Sequence, residues 1–196
     1  MATIGKAEDR MILTWCVLLS AASPCQKMQY GAFLVTTGGR QIGGINGKLV
    51  GPADEEIPVS CGTCLRKDVP SGTQHELCYG VHAEQVAMIR TLNLGESCLG
   101  GTMYIAGLYA GTTKRFINKV PGFYCTTCAR LMRAAGIATV VVPVALKWAI
   151  DQGLGPFDMS ICPADDWIPV RLTIEEAYAS AFAVATGKMD AEGNVL

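Results

Sequence analysis

The chain reads as an α/β protein, a three-layer α/β/α sandwich with helices on both sides of a mixed central sheet. Three observations predict it. Apolar runs of strand length alternate with helical periodicities along the sequence. One run, "IATVVVPVA", is apolar throughout, as a strand covered on both faces should be. Half of the residues are apolar and 17% are charged, which suits a well-buried globular core. At 196 residues, with no repeat, low-complexity tract or interdomain linker, the expectation is a single domain over 1–196. Its core is expected at about 8–145, with a helical extension over 146–196.

The first helix is predicted in "EDRMILTWCVLLSAASPC", where Met11, Trp15, Leu18 and Leu19 recur at three- and four-residue steps and Pro24 ends the run. The same segment imitates a secretion signal. Glu8 and Asp9, however, precede the apolar stretch where such a signal carries positive charge, so a helix of the domain is the expectation. "YGAFLVTTGGRQIGGING" predicts two strands around the turn "TGGR". A long loop rich in Pro, Gly, Asp and Cys follows, of a length usually tied to function. Next come a helix in "HAEQVAMIRTLNLG", a strand in "GTMYIAGLY", and a polar connection "TTKRFINKVPGF" with a short helical piece. "CTTCARLMRAAG" predicts a helix stopped by Gly136, "IATVVVPVA" the buried strand, and "TIEEAYASAFAVATG" a last helix starting from Thr173.

Charge narrows the partners. Net charge is -1 and the basic residues are scattered, so nothing tracks a phosphate backbone and nucleic acid is not the expected partner. A small-molecule substrate is. No stretch reaches the length of a membrane span, and the expected location is cytoplasmic.

Nine cysteines are many for this length, and the number is odd. Clustered Cys in a chain without secretory character points to metal more than to a disulfide framework. Six of the nine, Cys61, Cys64, Cys78, Cys98, Cys125 and Cys128, fall in or near the long loop and the two helix starts. Cys125 and Cys128, at i and i+3 on a helical turn, lie on one face and can reach one ion. A helix N-terminus favours the thiolate that a metal requires. His82, opening the other helix, makes a third ligand, and a catalytic zinc site keeps its fourth position open for water. Glu84, two residues from His82, is the candidate proton carrier. Positions two apart do not face each other in a regular helix, so the arrangement requires His82 to precede helical geometry.

"HAE" followed by "CTTC" resembles the zinc-dependent cytidine and deoxycytidylate deaminase superfamily, whose signature is H-x-E…P-C-x-x-C. The resemblance is greatest to deoxycytidylate deaminase-like proteins and runs from the first helix to about Val142. Along it lie Cys25, "GAFLV", "GGINGKLVGP", "CGTCLRKDVPSGTQHELC" and "YGVHAEQ". It implies a cytidine deaminase-like fold, Zn²⁺ at His82, Cys125 and Cys128, and hydrolytic deamination with Glu84 catalytic. The implied substrate is a small aminated ring, a cytosine nucleotide resembling dCMP in the first place. The alternatives are another aminated heterocycle or nucleoside, and a non-catalytic zinc-stabilised binding or regulatory subunit; the retained Glu84 speaks against the last. The resemblance further implies that Asn46 contacts the substrate's sugar, whereas by residue type alone "INGK" is a turn. It implies homo-oligomers, and a second, structural Zn²⁺ for which Cys25, Cys61, Cys64 and Cys78 supply four thiols and His75 a spare ligand. A metal joining the ends of a long loop would order it. Three features depart from the family: Tyr124 stands where Pro precedes the first Cys, "AGTTKRFINKVPGF" is inserted before it, and Trp148 and Lys147 do not reproduce the family's aromatic pattern.

Overall fold

A computed structural model describes residues 2–47, 63–69, 77–78, 80–109, 115–116, 125–151, 153 and 167–186. In chain order these form β1 (Thr3–Ile4), α1 (Ala7–Ser20), β2 (Met28–Val35), β3 (Gln41–Ile45), α2 (Ala83–Asn93), β4 (Thr102–Tyr109), β5 (Arg115–Phe116), α3 (Thr126–Ala134), β6 (Thr139–Ala145), α4 (Leu146–Asp151), β7 (Trp167–Thr173) and α5 (Ile174–Ala185). Among the described residues the strands make one seven-stranded sheet in the order β1-β7-β6-β4-β2-β3, with β5 paired to the far end of β4. The β4–β6 pair is parallel and the others are antiparallel, so the sheet is mixed as expected.

The β2–β3 hairpin turns where "TGGR" predicts it. Thr36 and Arg40 close the turn by a 2.9 Å hydrogen bond from Thr36 N to Arg40 O, and Gly39 takes φ +82°, a value most side chains resist. α3 ends at Gly136 with φ +75°. α5 starts from Thr173, whose hydroxyl accepts from Glu176 N while the Glu176 carboxylate accepts from Thr173 N.

Two cores lie on the two faces of the sheet. α1 covers one with Ile12, Leu13 and Cys16 against Tyr104, Val141 and Trp167. On the other, residues of α2, α3, α4 and α5 pack on Leu34, Met103, Ile105 and the valines Val140, Val142 and Val144 of β6. This is the three-layer sandwich. Alternate β6 side chains enter each core, which explains the unbroken apolar run.

Three expectations need correction. α1 forms where its spacing predicts, but Met11, Trp15 and Leu18 are exposed while Ile12, Leu13 and Cys16 are buried. The helix is apolar on two sides, so periodicity could not choose. Asp9 decides the face: its buried carboxylate accepts from Lys6 N at 2.7 Å, Tyr104 OH at 2.7 Å and the Arg171 guanidinium at 2.5 Å. Second, 146–196 is more than a helical extension, because β7 lies there, between β1 and β6. Pro169 hides it in the sequence. Pro169 sits directly opposite Pro143, and two prolines can face each other only at a pair that exchanges no hydrogen bonds. Third, the connection after β4 contributes the short strand β5 where a helical piece was expected; the rest of it, with Tyr124, lies outside the described residues. α4 also went unread, and of its Trp148 only the backbone is described. No helix among the described residues is long and apolar enough to cross a membrane.

Candidate metal centre

Two helix starts converge to make the site. His82 is the N-cap of α2 with extended angles (φ −77°, ψ 154°), and Cys125 is the N-cap of α3 with nearly the same ones (φ −73°, ψ 151°). His82 therefore departs from the helical path before Glu84 enters it, which resolves the two-residue spacing. The His82 N–H donates to the Gln85 side chain at 3.0 Å, fixing the cap. Cys125 Sγ accepts the Cys128 N–H at 3.3 Å, the same service a Ser or Asp performs at other helix starts.

His82 Nδ1 lies 3.3 Å from Cys125 Sγ and 3.3 Å from Cys128 Sγ. All three ligand atoms fall within 4.8 Å of one another, and no other such trio exists among the described residues. Tetrahedral zinc bonded to one imidazole nitrogen and one thiolate holds those atoms about 3.6 Å apart. The two nitrogen–sulfur separations need to open by only a few tenths of an ångström to take the ion. One nitrogen and two sulfurs leave one coordination position over, so the donor set fits a catalytic zinc.

Electrostatics agree. Cys125 is pulled down to about 3 by the Cys128 thiol donating to it, and further by His82, against the opposing effect of burial. Cys128 is pushed up by that same hydrogen bond and by burial. His82 is raised to about 9 by its hydrogen bond to Cys125, which outweighs burial. These directions favour the thiolate at Cys125, the imidazolium at His82 and the neutral thiol at Cys128. Glu84 is 5% exposed, and burial raises its carboxyl while the nearby His82 lowers it. Cys128 and Cys125 are its other neighbours.

The remaining sequence candidates are more dispersed. Asn46 follows β3, and Gly47 beyond it pairs with Val81, the residue before His82, by bonds of 3.1 and 2.8 Å. That bridge places Asn46 at the margin of the centre. Its side chain is engaged: Oδ1 accepts from Tyr30 N at 2.6 Å and Ser23 Oγ at 2.8 Å, and Nδ2 donates to Met28 O at 2.7 Å. Cys25, Cys64 and Cys78 are free, partly buried thiols and do not gather at ligand spacing. Cys61 and His75 lie outside the described residues. The Lys27 ammonium donates to the carbonyls of Arg66 and Val69, tying the described part of the loop to the start of β2. Sequence reasoning missed Gln85 and Ser23. The first was readable from the His-x-x-Gln spacing of a reciprocal cap; the second acts across 23 positions and leaves no local signal.

The sequence profile of the cytidine and deoxycytidylate deaminase zinc-binding region matches residues 6–144. The chain belongs to that family. It is a zinc-dependent deaminase, a hydrolase with Zn²⁺ as cofactor. Solved structures similar to it include the dCMP deaminase of cyanophage S-TIM5 in apo form, 20% identical with a TM-score of 0.46 over 69% of this chain and 82% of that one. The same phage enzyme in complex with dCMP and dUMP gives 20% identity and a TM-score of 0.47, over 70% and 81%. A diaminohydroxyphosphoribosylaminopyrimidine deaminase/5-amino-6-(5-phosphoribosylamino)uracil reductase from Thermotoga maritima is 17% identical with a TM-score of 0.37, over 68% of this chain and 29% of that protein. No curated protein sequence matches the chain.

Proposed function

We propose that the chain deaminates a cytosine nucleotide of the dCMP type, with His82, Cys125 and Cys128 holding the zinc and Glu84 moving the proton. One observation carries the reading: in a chain of this family, a buried carboxyl stands against a His/Cys/Cys trio of zinc-ligand spacing. His82 binds through Nδ1, the ring atom that faces both sulfurs. Zinc held there supplies a Lewis acid that makes a water molecule acidic enough to attack near neutral pH. With that ion bound, Glu84 would serve as the base that accepts a proton from the attacking water as oxygen is added to the ring carbon bearing the amine. The carboxyl then returns the proton toward the departing nitrogen, so that cytosine and water give uracil and ammonia. Its elevated pKa suits a group that must act first as base and then as acid. Asn46, beside the bridge from Gly47 to Val81, is placed in the reading to contact a sugar. The near-neutral net charge of -1 supports a small substrate over nucleic acid, and the reading includes a cytoplasmic homo-oligomer.

Two measurements test it. An ammonia-release screen over free bases, nucleosides, nucleotides and other aminated heterocycles should find dCMP the best substrate. A preference for a bare base would overturn the nucleotide assignment. Metal analysis should find one zinc per chain, lost in the Cys125→Ser, Cys128→Ser double variant; unchanged zinc in that variant would remove these residues as ligands.

A further inference from the structure

The two helix starts can form a metal centre only if α2 lies at the right height above the sheet. Ala32 of β2 and Gly44 of β3 are direct partners in the ladder, both buried on the face that α2 covers. Above them pass Ala83 and Ala87, each fully buried. Four of the smallest side chains are stacked where the first turn of α2 crosses the hairpin, and the closest approach is at Gly44. A Cβ added there would lie 2.6 Å from Ala87 N, 3.1 Å from Val86 Cβ, and nearer still to the carbonyl oxygen of Ala83. Ala83 directly follows His82, and Glu84 follows Ala83. The two nearest obstacles are backbone atoms, which cannot swing aside as the tip of a side chain can.

We infer that Gly44 is a positioning residue for the metal centre, its missing side chain setting the seat of α2 and so the placement of His82 and Glu84 against Cys125 and Cys128. The inference rests on the ligand assignment proposed above. Non-bonded contact with carbon needs about 3.5 Å, so a methyl group at Gly44 would lift the first turn by close to 1 Å. Metal–ligand distances hold to within about 0.2 Å. The displacement exceeds the tolerance several-fold, and an error of about 1 Å is already costly to a reacting geometry. Gly43, the preceding residue on the same strand, has a different setting. Its added Cβ would meet Leu19 Cδ2 at 3.0 Å and Phe33 Cε1 at 3.1 Å on the α1 face, both ends of side chains that can move.

The test compares Gly44→Ala with Gly43→Ala in the full-length protein, by zinc affinity in chelator competition, the visible spectrum of the cobalt-substituted protein, and thermal melting. Gly44→Ala should bind zinc at least tenfold more weakly and lose intensity in the tetrahedral cobalt bands. Gly43→Ala should keep both, even if its melting temperature falls as far. A folded Gly44→Ala protein with parental zinc affinity and cobalt spectrum would overturn the inference. If Gly44→Ala does not fold, Arg90→Ala decides. Arg90 ties the other end of α2 to Gly43 O at 3.0 Å, so releasing it should leave zinc affinity within about threefold of parental if Gly44 sets the seat. A larger loss would show that Arg90 sets it. The ligand assignment fails separately, by a parental cobalt protein lacking thiolate charge-transfer bands.

Discussion

The two faces of the sheet bury acids in opposite ways. On the α1 face Asp9 is enclosed by three donors, the Lys6 N–H, the Tyr104 hydroxyl and the Arg171 guanidinium. Its charge is matched within the fold. On the other face Glu84 is as deeply buried, but its neighbours are the His82 ring and the thiols of Cys125 and Cys128, all of which gain or lose protons themselves. Three fixed donors, one of them a guanidinium, satisfy the Asp9 carboxylate's hydrogen-bonding needs and tie it into the fold. Titrating neighbours around a desolvated carboxyl leave it able to change state, which is what proton transfer requires. A buried acid thus signals stability or chemistry according to its company.

The comparison should break most visibly at Glu84. Glu84→Gln should lower turnover by about a hundred- to ten-thousand-fold while zinc content and melting temperature hold, since the amide keeps the shape and removes a desolvated acid. Near-parental turnover in a folded, zinc-loaded variant would sink the mechanism. Asp9→Asn should do the converse. Losing the charge leaves the partly exposed Arg171 without its partner and should cost about 3 kcal/mol in denaturant unfolding, with turnover per folded molecule retained. A stable, inactive Asp9→Asn protein would show that the faces are not separate in function.

Protons sharpen the same contrast. Without metal His82 is raised to about 9 and Cys128 is raised as well, so both carry protons at neutral pH, whereas Cys125, lowered to about 3, does not. Zinc must displace those two protons. Affinity should therefore rise with pH while both groups remain protonated, by up to about a hundredfold per unit, and calorimetry in buffers of different ionisation heat should count about two protons released. Uptake of protons, or none exchanged, would contradict the thiolate–imidazolium assignment. The smallest effect belongs to Asn46. Asn46→Ala removes bonds to Ser23, Tyr30 and Met28, and should cost about 1 to 2 kcal/mol of stability. Comparison of KM for a nucleotide and a bare base separates its two roles, because only a sugar contact would raise KM for the nucleotide alone.

The centre was legible because its information is local. "HAE" and "CTTC" each place their side chains within one helical turn, and the extended angles at His82 and Cys125 follow from their standing at helix starts. What escaped was decided by distant residues. The outward turn of Met11, Trp15 and Leu18 depends on Asp9 finding Arg171, 162 positions away. β7 was unreadable because Pro169 argues against a strand until Pro143 is known to face it. Gly44 looks like any glycine of a hairpin until α2 is laid over it.

The pairing of β1 with β7 also carries a consequence for synthesis. The ribosome delivers Asp9 well before Arg171, and the strand that carries Arg171 follows α1 to α4. Until then the carboxylate that anchors α1 lacks its charged partner, and the first strand has no ladder to join. The proposed zinc ligands, all made by residue 128, need not wait. Nascent chains halted between α3 and β7 should therefore gather metal while their N-terminal helix still exchanges freely with solvent, and closure of the sheet's β1 edge should be a late event of high contact order.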